Sequence, residues 1–353
     1  MSPVYEEYFD ILTEDGALSK IQDEITAAVG DVFRFEEFLW DVLSGEIKLD
    51  LNMILDLLSD VAFSGLSSST SQIMRIMGIA LLAAVFTNFA FSFRDGNVSA
   101  TAFYVCYLIL YGILVATFYE AYEITYDAVS HITGFMKVLV PSYCIAIAFA
   151  GETVTAMCWY ESILLLISLS EYLLLKIILP LISTYMTVNL AGNLSNENIL
   201  SKLCEMIEMA VGWCLKGIIT LIIGLSGVQG ILSGTIDRVK RTALMKSVEF
   251  IPGIGSVIDG VNETVLAAGV LLKDAFGVGG MIAIAVISMV PLVRLAVYAF
   301  VYKAEAALIQ PVSDRRIISC INAASKASLM MLRAVFTSGV LFVIAIVIVL
   351  YTG

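Results

Sequence analysis

Charge and histidine are what this 353-residue chain has least of. Only 15% of its residues are charged, and its single histidine is His131. Soluble domains carry about 25% charged residues, whereas 59% of this chain is hydrophobic. A globule of this length cannot keep so much apolar surface from water. The composition therefore excludes an ordinary soluble protein and points to a bilayer. With one histidine and no HExxH, GxSxG, Walker A or dinucleotide-binding pattern, familiar enzymatic chemistry has no footing. The chain is expected not to be an enzyme, and no cofactor or metal is implied. Its six cysteines stand far apart with no CxxC, most of them in apolar runs where cysteine acts as a small hydrophobe. No basic stretch leading into an apolar core opens the chain, so no signal peptide is visible.

The acids that are present sit mainly at one end. Residues 1–71 hold 15 acids and 3 bases, while residues 72–353 hold 17 of each. An acidic head of this kind argues against nucleic acid as a partner, because phosphate binding needs a basic face. The head reads as amphipathic helix: Phe35, Phe38, Leu39 and Val42 recur at helical spacing, with Glu36, Glu37 and Asp41 opposite. It is too polar to span a bilayer.

The body, 72–353, reads as an all-α polytopic transmembrane bundle. Apolar runs at 73–93, 101–119, 134–150, 157–190, 206–229, 279–302 and 329–351 suggest about seven regular spans. The run 134–150 should be kinked or shortened by Pro141, and 157–190 should be one long helix, broken or tilted, with Pro180 near its end. Between them 120–133 reads as an acidic loop that holds His131, a solvated residue. Basic stretches at 238–246 and 303–328 should both face the cytoplasm. Two crossings must then separate them, one being 279–302 and the other a broken or re-entrant piece within 247–277. This places the acidic loop outside, and the head with it.

Two groups of residues stand out. Glu161, Glu171, Lys176, Lys216 and Arg294 fall inside apolar runs, where a charge facing lipid costs at least ~2.5 kcal/mol. Lys216 is expected to meet Glu171 or Glu161 across a helix interface. The second group lies in the Pro/Gly-punctuated segment 250–280, marked by Pro252, Gly253, Gly255, Gly260, Gly277 and Gly280, with Asp259 and Lys273 beside the expected breaks. Unwound backbone at membrane depth is tolerated when it is shielded by protein or lines a wet path. The segment thus reads either as part of such a path or as a loop resting between helices.

The string "RTALMKSVEFIPGIGSVIDGVNETVLAAGVLLKDAFGVGGM" (241–281), the stretch "FVYKAEAALIQP" (300–311), "GLSGVQG" (224–230) and the head's "WDVLSGEIKLDLNMIL" (40–55) together resemble the stage III sporulation protein AE family. The likeness runs from about Phe38 onward. It implies a multi-pass protein in the mother-cell membrane around the developing forespore. It also implies work with other stage III A-operon membrane proteins and, indirectly, stage II sporulation protein Q, in a channel complex needed for late forespore gene expression. A stand-alone secondary transporter of a small solute is the competing reading. Such a transporter would need an internal repeat with paired broken helices, and one broken segment without a convincing repeat is visible.

Overall fold

The computed structural model describes residues 16–44, 96–194, 200–248, 255–311 and 315–352, with 59–61, 63, 74, 78 and 85; for 96–103, 106, 194, 225–248, 255–265 and 352 it gives the helical backbone alone. The described residues are helical, without strands. Two short helices, α1 (Ala17–Val29) and α2 (Phe35–Ser44), precede α3 (Gly96–Phe149) and α4 (Thr153–Glu171). A π-helical stretch, Tyr172–Ile178, joins α4 to α5 (Leu179–Leu194), and α6 (Ser201–Val248), α7 (Gly255–Ile309) and α8 (Arg315–Thr352) follow. Among the described residues five segments are long and apolar enough to cross a membrane: Tyr107–Phe149, Thr153–Asn193, Ser201–Gly224, Leu266–Ile309 and Arg315–Tyr351. The expected span 73–93 lies almost wholly outside the described residues.

Successive long helices run up and down. Gly269 of α7 lies against Phe149 of α3, Gly277 against Tyr143 and Gly280 against Leu139. Further along, Tyr298 meets Glu120 and Tyr302 meets Thr117. This falling register makes α3 and α7 antiparallel neighbours over more than thirty residues of each. Helix α8 returns along α7, with Leu350 beside Gly277 and Ser288 beside Gly339, and Ser325 donating to the Ala299 carbonyl at 2.8 Å. One apolar core runs through all of these helices.

Several expectations are corrected here. The acidic stretch 120–133 is not a loop, since α3 passes through it as part of one 54-residue helix. It contains neither Gly nor Pro, and its acids recur at 120, 123 and 127 on one side. Ala121, Thr125 and Ile132 are buried on the other side, the pattern of an amphipathic helix. Thr125 and Thr133 satisfy their hydroxyls on the carbonyls of Ala121 and Val129. The runs 101–119 and 134–150 are therefore one helix, which continues through Pro141.

The run 157–190 is one continuous unit, as expected. The irregularity due at Pro180 appears just before it as the π-helical Tyr172–Ile178, consistent with a proline that cannot donate to the carbonyl four residues back. The interruption expected over 250–280 is absent from Gly255 onward, because α7 is a single 55-residue helix. Residues 250–254 lie outside the described residues. One helix, not two crossings, therefore separates the basic stretches 238–246 and 303–328, and the orientation inferred from them loses its basis. The second of these stretches is also mostly helix, with α7 ending at Ile309 and α8 starting at Arg315.

At ~1.5 Å per residue, α3 and α7 are each about 80 Å long, while bilayer hydrocarbon is about 30 Å thick. Much of each helix must stand outside hydrocarbon. The head supports this. Helix α1 buries Leu18, Ile21 and Ile25, and α2 buries Phe35, Phe38 and Leu39, packing on α3 and α7 part-way along their length. Gln22 ties the two together: its amide nitrogen donates to the Phe33 carbonyl at 3.0 Å, and its oxygen accepts from the Phe35 amide at 2.9 Å. The outer side stays charged, as in the exposed Arg34–Glu37 pair.

Candidate functional site

The seam between α3 and α7 carries most of the polar chemistry in this apolar bundle. Its upper end is built on a helix terminus. Helix α3 stops where Gly151 adopts φ +83°, the left-handed conformation that glycine takes without strain. The Gly151 amide bonds the Ala148 carbonyl and the Glu152 amide bonds the Ile147 carbonyl, the paired bonds of a Schellman stop. Glu152 is thereby placed at the start of α4, where the helix dipole favours an anion.

Opposite the turn, α7 offers Gly269, Lys273 and Gly277 at four-residue spacing, hence on one face. A methyl group on Gly269 would overlap the Phe149 carbonyl and the Ala150 amide, and one on Gly277 would sit 2.9 Å from the Tyr143 hydroxyl. The glycines bring the backbones close, and Lys273 between them reaches Glu152 Oε1 at 2.9 Å. This ion pair is buried, with side-chain exposures of 4% for Lys273 and 12% for Glu152. Glu152 Oε2 and the hydroxyl of fully buried Tyr143 have no hydrogen-bond partner among the described residues. The Tyr143 ring meets Trp159 edge-on at 5.1 Å, and Trp159 donates to the Ala345 carbonyl of α8 at 3.3 Å. The turn, α4, α7 and α8 are thus locked together at one end of the bundle.

Lower on the seam, a cavity of about 230 Å³ opens between α1, α3 and α7, with Asp127, His131, Pro291 and Arg294 in its wall. Below it, Tyr298 donates to Glu120 Oε2 at 2.8 Å and Tyr302 to Thr117 Oγ1 at 2.6 Å. Tyr107 bonds the Leu190 carbonyl and approaches Cys320 Sγ at 3.3 Å. Glu305 is buried nearby, its Oε2 without a hydrogen-bond partner among the described residues.

The residues singled out from sequence scatter over this framework. Lys273 is at the centre of the upper site, though as a buried ion-pair partner and not beside a break. Gly277 and Gly280 are contact points between helices; a methyl group on Gly280 would sit 2.8 Å from Leu139. Gly255, Asp259 and Gly260 belong to the first turns of α7, and Pro252 and Gly253 lie outside the described residues. Glu171 pairs with Lys137 at 2.7 Å on an exposed surface, not with Lys216.

Lys216 is exposed, and no ion pair of it is found among the described residues. The face of α6 that meets α4 is Cys214, Gly217, Ile218, Leu221 and Ile222, and Lys216 points away from that stripe. Glu161 and Lys176 are exposed too. Glu152 had escaped notice as an isolated acid between two apolar runs, and only the Gly151 turn marks it as a helix start. His131 is helical and half-buried, not a solvated loop residue.

Comparison with known proteins agrees with the sequence resemblance. A family model described as Stage III sporulation protein AE matches residues 33–353, which is α2 through α8 without α1. Stage III sporulation protein AE of Bacillus subtilis (strain 168) is 25% identical over 263 residues, covering 74% of this chain and 66% of that protein. The chain therefore aligns with just under two thirds of that relative's length. No solved structure matches.

Proposed function

This chain belongs to the stage III sporulation protein AE family, and from that premise we propose that it is a non-catalytic, multi-pass membrane subunit of a complex joining mother cell and forespore. It would sit in the mother-cell membrane around the forespore. Its partners would be other stage III A-operon membrane proteins and, through them, stage II sporulation protein Q. The observation that carries the proposal is the family match over 33–353, on a chain whose described residues include five helices long and apolar enough to cross a bilayer. In this reading, residues 266–280 contribute mainly as a close-packed helix face around Lys273. A stand-alone transporter would call for paired broken helices, and the long unbroken α3 and α7 give that alternative no support.

The test is complementation. A spore-forming host lacking its own family member should regain heat-resistant spores when supplied with this chain. A tagged copy should co-purify with the host's other stage III A membrane proteins. Solute uptake by the purified chain alone, with no rescue and no co-purifying partner, would reject the proposal in favour of transport.

A further inference from the structure

The cavity on the α3–α7 seam is walled by two matched stripes. Helix α3 contributes Ile124, Asp127, Ala128 and His131, and α7 contributes positions 287, 290, 291 and 294. Both sets fall at i, i+3, i+4 and i+7, which is one side of a helix. The head supplies the third wall with Ala27 and Ala28, whose small side chains leave the space open. Polar groups of both kinds converge there. Arg294 brings a guanidinium and His131 a ring that can donate, while Asp127 brings a carboxylate. Pro291 has no N–H, so the carbonyl of Ile287 four residues earlier lacks its helical donor and adds a second acceptor beside the cavity.

This donor and acceptor set selects among ligands. A simple anion would face Asp127, and a simple cation would face Arg294. A molecule carrying one charge of each sign satisfies both. The space, about 230 Å³, corresponds to roughly eight waters at ~30 Å³ each, enough for a small metabolite. We propose that this cavity binds a small zwitterion of the free amino-acid class. The ligand carboxylate lies on Arg294 and His131, and its ammonium on Asp127 and the Ile287 carbonyl. Because α1 forms one wall, the bound ligand also holds the head against the bundle, and head docking and binding reinforce each other. This holds whether or not the sporulation reading does.

The experiment uses the full chain purified in detergent, with equilibrium dialysis of radiolabelled L-alanine, L-glutamine and L-glutamate up to 10 mM, and acetate and methylammonium as half-ligands. Saturable binding of at least one amino acid is expected, with each half-ligand at least tenfold weaker. Asp127→Asn, at an exposed position, and Ala27→Phe, which fills the cavity from the head side, should each weaken binding at least tenfold while circular dichroism stays unchanged. In the unaltered chain the bound amino acid should slow proteolytic release of residues 17–44. No saturable binding of any of the three amino acids overturns the proposal. So does undiminished binding in both variants, or acetate binding as tightly as the amino acid.

Discussion

Among the described residues three lysine–glutamate pairs join neighbouring helices of this bundle, and two of them differ sharply in their surroundings. Lys273–Glu152 lies at the upper end of the α3–α7 seam, almost wholly buried at 2.9 Å. Lys137–Glu171 joins α3 to the end of α4 at 2.7 Å, with half of the lysine and over a third of the glutamate exposed. The shorter pair should matter less. An exposed pair exchanges solvent for partner at little gain, typically under ~1 kcal/mol. A buried charge that loses its partner keeps its desolvation cost, about 3–5 kcal/mol. Burial, more than distance, ranks them.

The largest expected effect follows directly. Lys273→Met should destabilise the protein by about 3–5 kcal/mol, measured by unfolding in mixed micelles, because Glu152 is left buried and alone. Adding Glu152→Leu should restore most of that loss. Costs that simply add would show that the two side chains do not depend on each other. Second comes the close approach that lets the pair form. Gly269→Ala should cost about 1–3 kcal/mol through overpacking against Phe149 and Ala150, whereas Gly212→Ala on α6, with open space around it, should be neutral or slightly favourable. Equal costs at the two glycines would remove the contact from the account. Third, Lys137→Met should cost about 1 kcal/mol or less. A loss above ~2.5 kcal/mol would instead place that pair in hydrocarbon and erase the contrast. Smallest in cost is Lys216→Met, which should leave the protein as stable or more stable, since no ion pair of this exposed lysine is found among the described residues and a charge facing lipid is unfavourable; a clear loss of stability would show a partner.

The sequence disclosed the class of fold more readily than its joints. Apolar runs identified a helical membrane protein, and the periodicity of Phe35, Phe38 and Leu39 identified the face by which the head docks. The errors lay where local chemistry was read without its tertiary use. Glu120, Glu123 and Asp127 looked like a loop because acids rarely enter a span, yet their spacing fits one side of a helix whose other side is buried. Gly277 and Gly280 looked like helix breakers, yet a close neighbour gives the missing side chains a packing role. Lys273 drew attention for the wrong reason, and Glu152 drew none. Which distant acid meets which lysine depends on the antiparallel register of α3 and α7, and a single sequence does not display that register.

The central claim is that α7 runs unbroken, so that its glycines pack and do not hinge. Pulsed electron–electron distance measurement between spin labels at Val270 and Phe300, both exposed, tests it most directly in the reconstituted full chain. Thirty residues of straight helix at ~1.5 Å each give about 45 Å, with a narrow distribution. A re-entrant turn around Gly277–Gly280 would fold the segment back and give a much shorter or broad distance, and that result would contradict the account.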